Sequence, residues 1–147
     1  MSKSTTLRMR AGMESLHPLM EAVLNCARRQ NFAPGRLGEL ELVLEEVLVN
    51  IIRYAYPAAD GEIEIACELV GEEDLRISVM DTGVPFNPLE KSDPDLEASI
   101  EDRPIGGLGI YLVRQLANEV RYRREGEKNV LTLAMHRDPP AAREQNN

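Results

Sequence analysis

Two short turns constrain this chain more tightly than any other feature. Residues Glu62 to Leu69 and Leu75 to Met80 read as strands joined by the acidic turn Gly71-Glu72-Glu73-Asp74. A second pair, near Val120 to Arg124 and Val130 to His136, is joined by Glu125-Gly126-Glu127-Lys128. Connections this short make hairpins, whereas a doubly wound parallel sheet needs a helical crossover between successive strands. Helical patterns fall in groups between the strands, at Met13 to Gln30, Arg36 to Ala55 and Leu108 to Asn118, and Thr5 to Arg10 alternates as a first strand. Pro18 is acceptable in the first of these helices only within its opening turn. The expected fold is therefore α+β: a two-layer sandwich in which helices cover one face of a single sheet.

The 147 residues suit one compact domain, placed at residues 1–137, with a disordered tail at 138–147. A formal net charge of −8 argues against nucleic-acid binding, which needs a basic surface to displace counterions. No apolar run is long enough to span a bilayer, and the start MSKSTTLRMRAGM lacks the apolar segment of a signal peptide, so a cytoplasmic protein without membrane contact is expected. Cys26 and Cys67 fall in a helical and a strand pattern, the setting of small buried hydrophobes in a reducing compartment rather than of a disulfide framework.

Three polar features carry the chemistry. On a helical wheel of the second helix, Leu37, Leu40, Leu44, Val47, Leu48 and Ile51 form the packing stripe, and Glu39, Glu46, Asn50 and Arg53 form a narrow polar strip. Glu46 and Asn50 are four residues apart and stack on that strip. A carboxylate can orient or deprotonate a nucleophile, and an amide oxygen can join a Mg²⁺ shell shared with phosphates. Alone, the pair reads first as a solvated strip making ordinary salt bridges, with Glu46 paired to Arg53 or its neighbours.

Asp81-Thr82-Gly83 closes a strand, as turn chemistry or as a carboxylate presented to the exocyclic amine of adenine, with glycine permitting close backbone approach. Gly106-Gly107-Leu108-Gly109 stands directly before a helix, where bare N–H groups at the positive helix end suit phosphates. The alternative there is a hinge or cap. Leu112 occupies the last place of a dinucleotide fingerprint, and no Walker lysine follows the glycines, so neither of those sites is supported. The long segment from Asp81 to Gly107, rich in Gly, Pro, Asp and Glu, reads as a functional loop.

In this order, from about Leu7 to Met135, the three motifs resemble the GHKL ATPase superfamily with its Bergerat nucleotide-binding fold. The resemblance implies a mixed, mostly antiparallel sheet and the cofactors ATP and Mg²⁺. It implies Glu46 as general base, Asn50 as Mg²⁺ ligand, Asp81 and Gly83 at the adenine, and Gly106, Gly107, Leu108 and Gly109 at the phosphates. It adds Thr132 as a support for the adenine-bound Asp, and Arg103 as a lid arginine reaching the γ-phosphate. Asn50-Ile-Ile-Arg53-Tyr-Ala-Tyr56-Pro and Pro85-Phe86-Asn87-Pro88 are similar to the anti-sigma-factor serine kinase branch, and Pro85 replaces the second glycine of the commoner Asp-x-Gly-x-Gly pattern.

That branch implies a kinase phosphorylating a serine of a small antagonist protein and sequestering a sigma factor or similar regulator, with a homodimer by analogy. The same motifs admit a non-catalytic switch in which ATP orders a partner-binding face. A histidine-kinase catalytic domain with His17 as acceptor lacks a dimerisation hairpin around that residue and ranks last.

Overall fold

The alternation and periodicity seen in the sequence become, in the computed structural model, five strands and three helices, described for residues 4–56, 60–90 and 107–138. Strand β1 (Ser4–Arg10) is followed by a 3₁₀ turn at Met13–Ser15, then by α1 (Leu16–Arg29) and α2 (Pro34–Tyr54). The hairpin β2 (Glu62–Val70) and β3 (Asp74–Asp81) comes next. A 3₁₀ turn at Pro88–Glu90, α3 (Gly107–Leu116) and the hairpin β4 (Glu119–Glu125) and β5 (Lys128–His136) complete the order. The sheet runs β1-β2-β3-β5-β4. Every pairing among the described residues is antiparallel, where a mixed sheet was expected. Gly71 and Gly126 close the two hairpins at φ 65° and 60°, a conformation open to glycine without steric cost.

Strand alternation sends Ile63, Ile65, Leu75, Ile77, Val79, Leu131, Leu133 and Met135 to one side, where all are buried. Leu40, Leu44, Leu48 and Ile51 of α2, with Leu19 and Val23 of α1, close over them as one apolar cluster. Burial of about 25 cal/mol per Å² of apolar surface drives this two-layer packing. The other sheet face carries polar side chains such as Arg8 and Glu64, paired at 3.2 Å. Pro18 falls in the first turn of α1, as its missing N–H requires. Pro34 occupies the first turn of α2, so the Ala33-Pro34-Gly35 break starts the helix two residues before Arg36.

Cys26 and Cys67 are buried as expected but are not unpaired: their sulfurs meet as a disulfide between α1 and β2. They lie 41 residues apart, and only the docking of the inner face of α1 on the inner face of β2 brings them together. His17 is exposed in the first turn of α1. Among the described residues no helix is long and apolar enough to cross a membrane. The tail expected at 138–147 lies outside the described residues from 139 onwards.

Candidate functional site

Arg36, Asn50, Asp81 and Asn129 are polar side chains buried among the apolar residues of the inner layer, and a buried polar group needs a stated partner. Arg36 is structural. Its guanidinium donates to the His136 and Leu116 carbonyls at 2.9 Å each and to Asn118 Oδ1 and Glu39 Oε2 at 2.6 Å. The polar strip on α2 therefore has two kinds of member, for Glu39 is spent on this staple near the helix start.

Glu46 and Asn50 occupy the second half of α2, one turn apart on one face. Glu46 is half-buried and Asn50 is buried. The Asn50 amide nitrogen donates to the Glu46 carbonyl at 2.6 Å, which commits the donor end of the side chain to its own helix. The acceptor end, Oδ1, is the part of the amide with ligand chemistry. Helix α2 then ends at Ala55, whose carbonyl accepts from Val84 N at 2.9 Å. That contact docks the loop leaving β3 about 7.5 Å along the axis from Asn50, at 1.5 Å per residue. Tyr54 and Phe86 reinforce it, their ring centroids 5.4 Å apart.

Asp81 is the last residue of β3 and faces the helices. Its Oδ1 accepts from Gly83 N at 2.9 Å and from Asn129 Nδ2 at 2.8 Å, and it is 3% exposed. Burial raises its pKa above the ordinary aspartate value, and Asn129, Gly83 and the charge of Arg124 oppose that shift. A raised folded-state pKa means that ionising this carboxyl costs stability. The cost is absent below the unfolded pKa and complete above the folded one.

Gly83 is required by space at its contact with the end of α2. A Cβ there would stand 2.3 Å from the Ala55 carbonyl oxygen. Gly83→Ala must push the β3 loop off the end of α2, and we expect a loss of about 1–3 kcal/mol, as for other overpacked sites. Urea denaturation measures it, and a loss below about 0.5 kcal/mol, the level of an ordinary surface change, would show that the loop yields freely.

The structure does not bring Thr132 to Asp81. Thr132 pairs with Ser78 and Arg121 and projects from the opposite face of the sheet, into a groove of about 350 Å³ lined also by Arg76 and Arg123. The residue opposite Asp81 in the ladder is Asn129. Strand alternation is the reason: Asn129, Leu131, Leu133 and Met135 share the inner face, and Thr132 does not. Asn129 went unnoticed in the sequence, yet a signal existed. It is the one polar side chain in the inward set of the last strand, level with an inward Asp.

Helix α3 packs beside α2 and is tied to the Pro88–Glu90 turn through Arg114, which donates to the Leu89 carbonyl. Gly107 and Gly109 lie within its first turn rather than ahead of it. The surroundings of Gly107, Leu108 and Gly109 are not described, and Arg103 and Gly106 lie outside the described residues. Of the expected site, the structure thus assembles Glu46, Asn50, Asp81 and Gly83 around the C-terminal half of α2.

This arrangement matches known proteins over most of the chain. The family model described as a histidine kinase-like ATPase domain matches residues 9–135. A serine-protein kinase RsbW of Bacillus mycoides (strain KBAB4) is 33% identical over 109 residues, covering 71% of this chain and 68% of that protein. The RsbW of Bacillus cereus (strain Q1) gives the same figures. Among solved structures, the RsbU and RsbW domains of Rv1364c from Mycobacterium tuberculosis superpose with a TM-score of 0.62 at 15% identity. That match covers 90% of this chain and 31% of the longer one. The histidine kinase domain of Erythrobacter litoralis EL346 gives a TM-score of 0.51 at 21% identity, covering 80% of this chain and 60% of that one. At these identities the two structures speak for the fold.

Proposed function

Since the chain belongs to the histidine kinase-like ATPase domain family, we propose that it is an ATP-dependent protein-serine kinase of the anti-sigma-factor type. One observation carries the reading furthest. Asp81 is buried with Oδ1 saturated by two donors, and its Oδ2 has no hydrogen bond among the described residues. A buried carboxylate oxygen needs a donor, and the exocyclic amine of adenine is one. Similarity to proteins named serine-protein kinase RsbW supports the kinase assignment and a serine on a partner protein as acceptor. On the same resemblance rest a small antagonist protein as substrate, a sigma factor or similar regulator as the sequestered partner, and a homodimer.

In this reading Asp81 holds the base, the Gly107–Gly109 turn faces the phosphates with Gly106 and Arg103 on its lid side, and Glu46 accepts the serine proton. Among the described residues no three His, Cys, Asp or Glu side chains cluster to hold a metal by themselves. That suits Mg²⁺, which keeps waters and binds through few protein oxygens plus phosphates, with Asn50 Oδ1 as the protein's share. Bound there, Mg²⁺ neutralises phosphate charge; positioning of the two substrates is left to the protein.

The test is Mg·ATP binding by calorimetry, followed by transfer of labelled phosphate to candidate antagonist proteins. Asp81→Asn keeps an oxygen for Asn129 and Gly83 but turns a donor towards the adenine amine. It also removes a buried charge. We expect ATP affinity to fall ~30-fold or more, the loss of a charge-assisted bond and its replacement by donor against donor. The melting temperature should stay level or rise. Asn50→Ala should abolish the Mg²⁺ dependence of binding. Wild-type protein that binds no ATP would remove the reading altogether, whereas binding without transfer would favour an ATP-dependent protein-binding switch.

A further inference from the structure

The Cys26–Cys67 disulfide lies apart from Glu46, Asn50 and Asp81. In the sheet Cys67 stands opposite Ile77, four residues and about 13 Å along the strand from Asp81. Both cysteines are buried. A disulfide sulfur carries neither proton nor charge, so it has little use for a strong donor or for a carbonyl. Yet the exposed Arg29, one turn on in α1, donates from Nη2 to Cys26 Sγ at 3.2 Å, and the Ala22 carbonyl stands 4.0 Å from Cys67 Sγ. These are partners for reduced sulfurs. A guanidinium favours a thiolate at Cys26, and a carbonyl accepts from a thiol at Cys67.

The cover over the pair is thin. β1 is an edge strand, and Thr5, near its start, faces Cys67 across the ladder. Thr5 is half-buried, and its hydroxyl accepts from the same Arg29 Nη2 at 3.2 Å. Strand ends at a sheet edge open locally at a fraction of the cost of unfolding. Opening β1 around Thr5 uncovers Cys67 and leaves Cys26 on its helix beside Arg29.

We infer that Cys26–Cys67 is a thiol–disulfide exchange site, through which low-molecular-weight thiols of the glutathione class release α1 from β2 in the folded protein. The thiolate of one such thiol attacks Cys67 Sγ. A bond forms between those two sulfurs, the Cys26–Cys67 bond breaks, and its electron pair leaves on Cys26 as a thiolate facing Arg29. A second external thiolate then attacks the external sulfur of the mixed disulfide, and Cys67 leaves. Two small thiols are oxidised to one disulfide, the protein disulfide is reduced, and the two thiol protons pass to Cys67 and to Cys26 or solvent. The reverse reaction with the oxidised small molecule restores the cross-link. The ring that opens, from Cys26 to Cys67, contains the whole of α2, so the redox state of the pair sets how firmly the helix layer is held to the sheet.

The experiment follows the appearance of free thiols, by alkylation and mass, in oxidised protein mixed with excess glutathione at several urea concentrations below the unfolding transition. Exchange through local opening of β1 should proceed at a rate nearly flat in urea. A rate that climbs with the full slope of global unfolding, or no reduction in the folded range, marks an inert cross-link and overturns the inference. So does a protein that keeps two free thiols after incubation with oxidised glutathione. Two variants of the half-buried or exposed cover test the chemistry. Thr5→Val loses the tie between β1 and Arg29 but keeps the cation, and its rate should equal or exceed that of wild type. Arg29→Ala loses the tie and the cation together, and its rate should fall about threefold or more, because the departing Cys26 thiolate has lost its counter-charge. If Arg29 served only to pin the strand, Arg29→Ala would react as fast as Thr5→Val, and that result also overturns the inference.

Discussion

Arg36→Ala is expected to lower the unfolding free energy by about 3–5 kcal/mol, the range for breaking a buried, hydrogen-bonded charge network. The guanidinium is 1% exposed, and its partners come from three separate elements: Glu39 on α2, the Leu116 carbonyl and Asn118 at the end of α3, and the His136 carbonyl ending β5. Alanine takes a donor from the His136 and Leu116 carbonyls, removes one of the two donors on Asn118 Oδ1, and ends the ion pair with Glu39. Asn118 matters further because its Oδ1 also accepts from His136 N at 2.9 Å, so the staple fixes where β5 ends. The loss should appear as a fall in urea midpoint at constant slope, and as a drop of ~10 °C or more in melting temperature for a chain of this size. Arg36→Met, similar in volume and without unpaired donors of its own, should recover part of that loss by packing alone. A loss under about 1 kcal/mol in Arg36→Ala would mean that water reaches these carbonyls and that the arginine is not a staple.

Arg36 also shows what could be read from the sequence and what could not. The helices and hairpins were legible because each carries its own period: Leu40, Leu44, Leu48 and Ile51 recur at helical spacing, and Gly71 and Gly126 sit where tight turns need positive φ. Glu46 and Asn50 were legible as a pair because both lie on one helix, where spacing alone sets the geometry. Everything that depended on register between distant segments was hidden. Arg36 at a helix start looks like a solvated cation, and only the docking of α3 and β5 buries it. Thr132 and Asn129 are three residues apart on one strand, yet the facing of β5 decides which meets Asp81. The same holds for Cys26 and Cys67, each correctly read as buried and each misread as alone. The packing demand at Gly83 was hidden too, since a Cβ there would meet Ala55, 28 residues away in the chain.

The largest effect on activity is expected from Glu46→Gln. Glu46 is half-buried on a helix held by packing on both sides, one turn from Asn50, whose amide bonds the Glu46 carbonyl itself. Glutamine keeps the shape, the helix propensity and an acceptor oxygen and loses the negative charge, so the helix should hold. Mg·ATP affinity should stay within about threefold of wild type, because the base and the phosphates are held by other groups in the proposed site. Phosphoryl transfer to the acceptor serine should fall ~10²–10⁴-fold, the usual contribution of a positioned general base. Labelled phosphate transferred in a single turnover, with enzyme in excess over the acceptor protein, separates this from slow product release. Three outcomes distinguish the underlying chemistry. Transfer lost with binding intact assigns the proton acceptor to Glu46. Transfer unchanged means that the serine loses its proton to solvent or phosphate, and that Glu46 serves the helix surface alone. Binding and transfer lost together mean that the carboxylate holds the nucleotide's metal rather than the serine, and the division of labour between Glu46 and Asn50 would then be reversed.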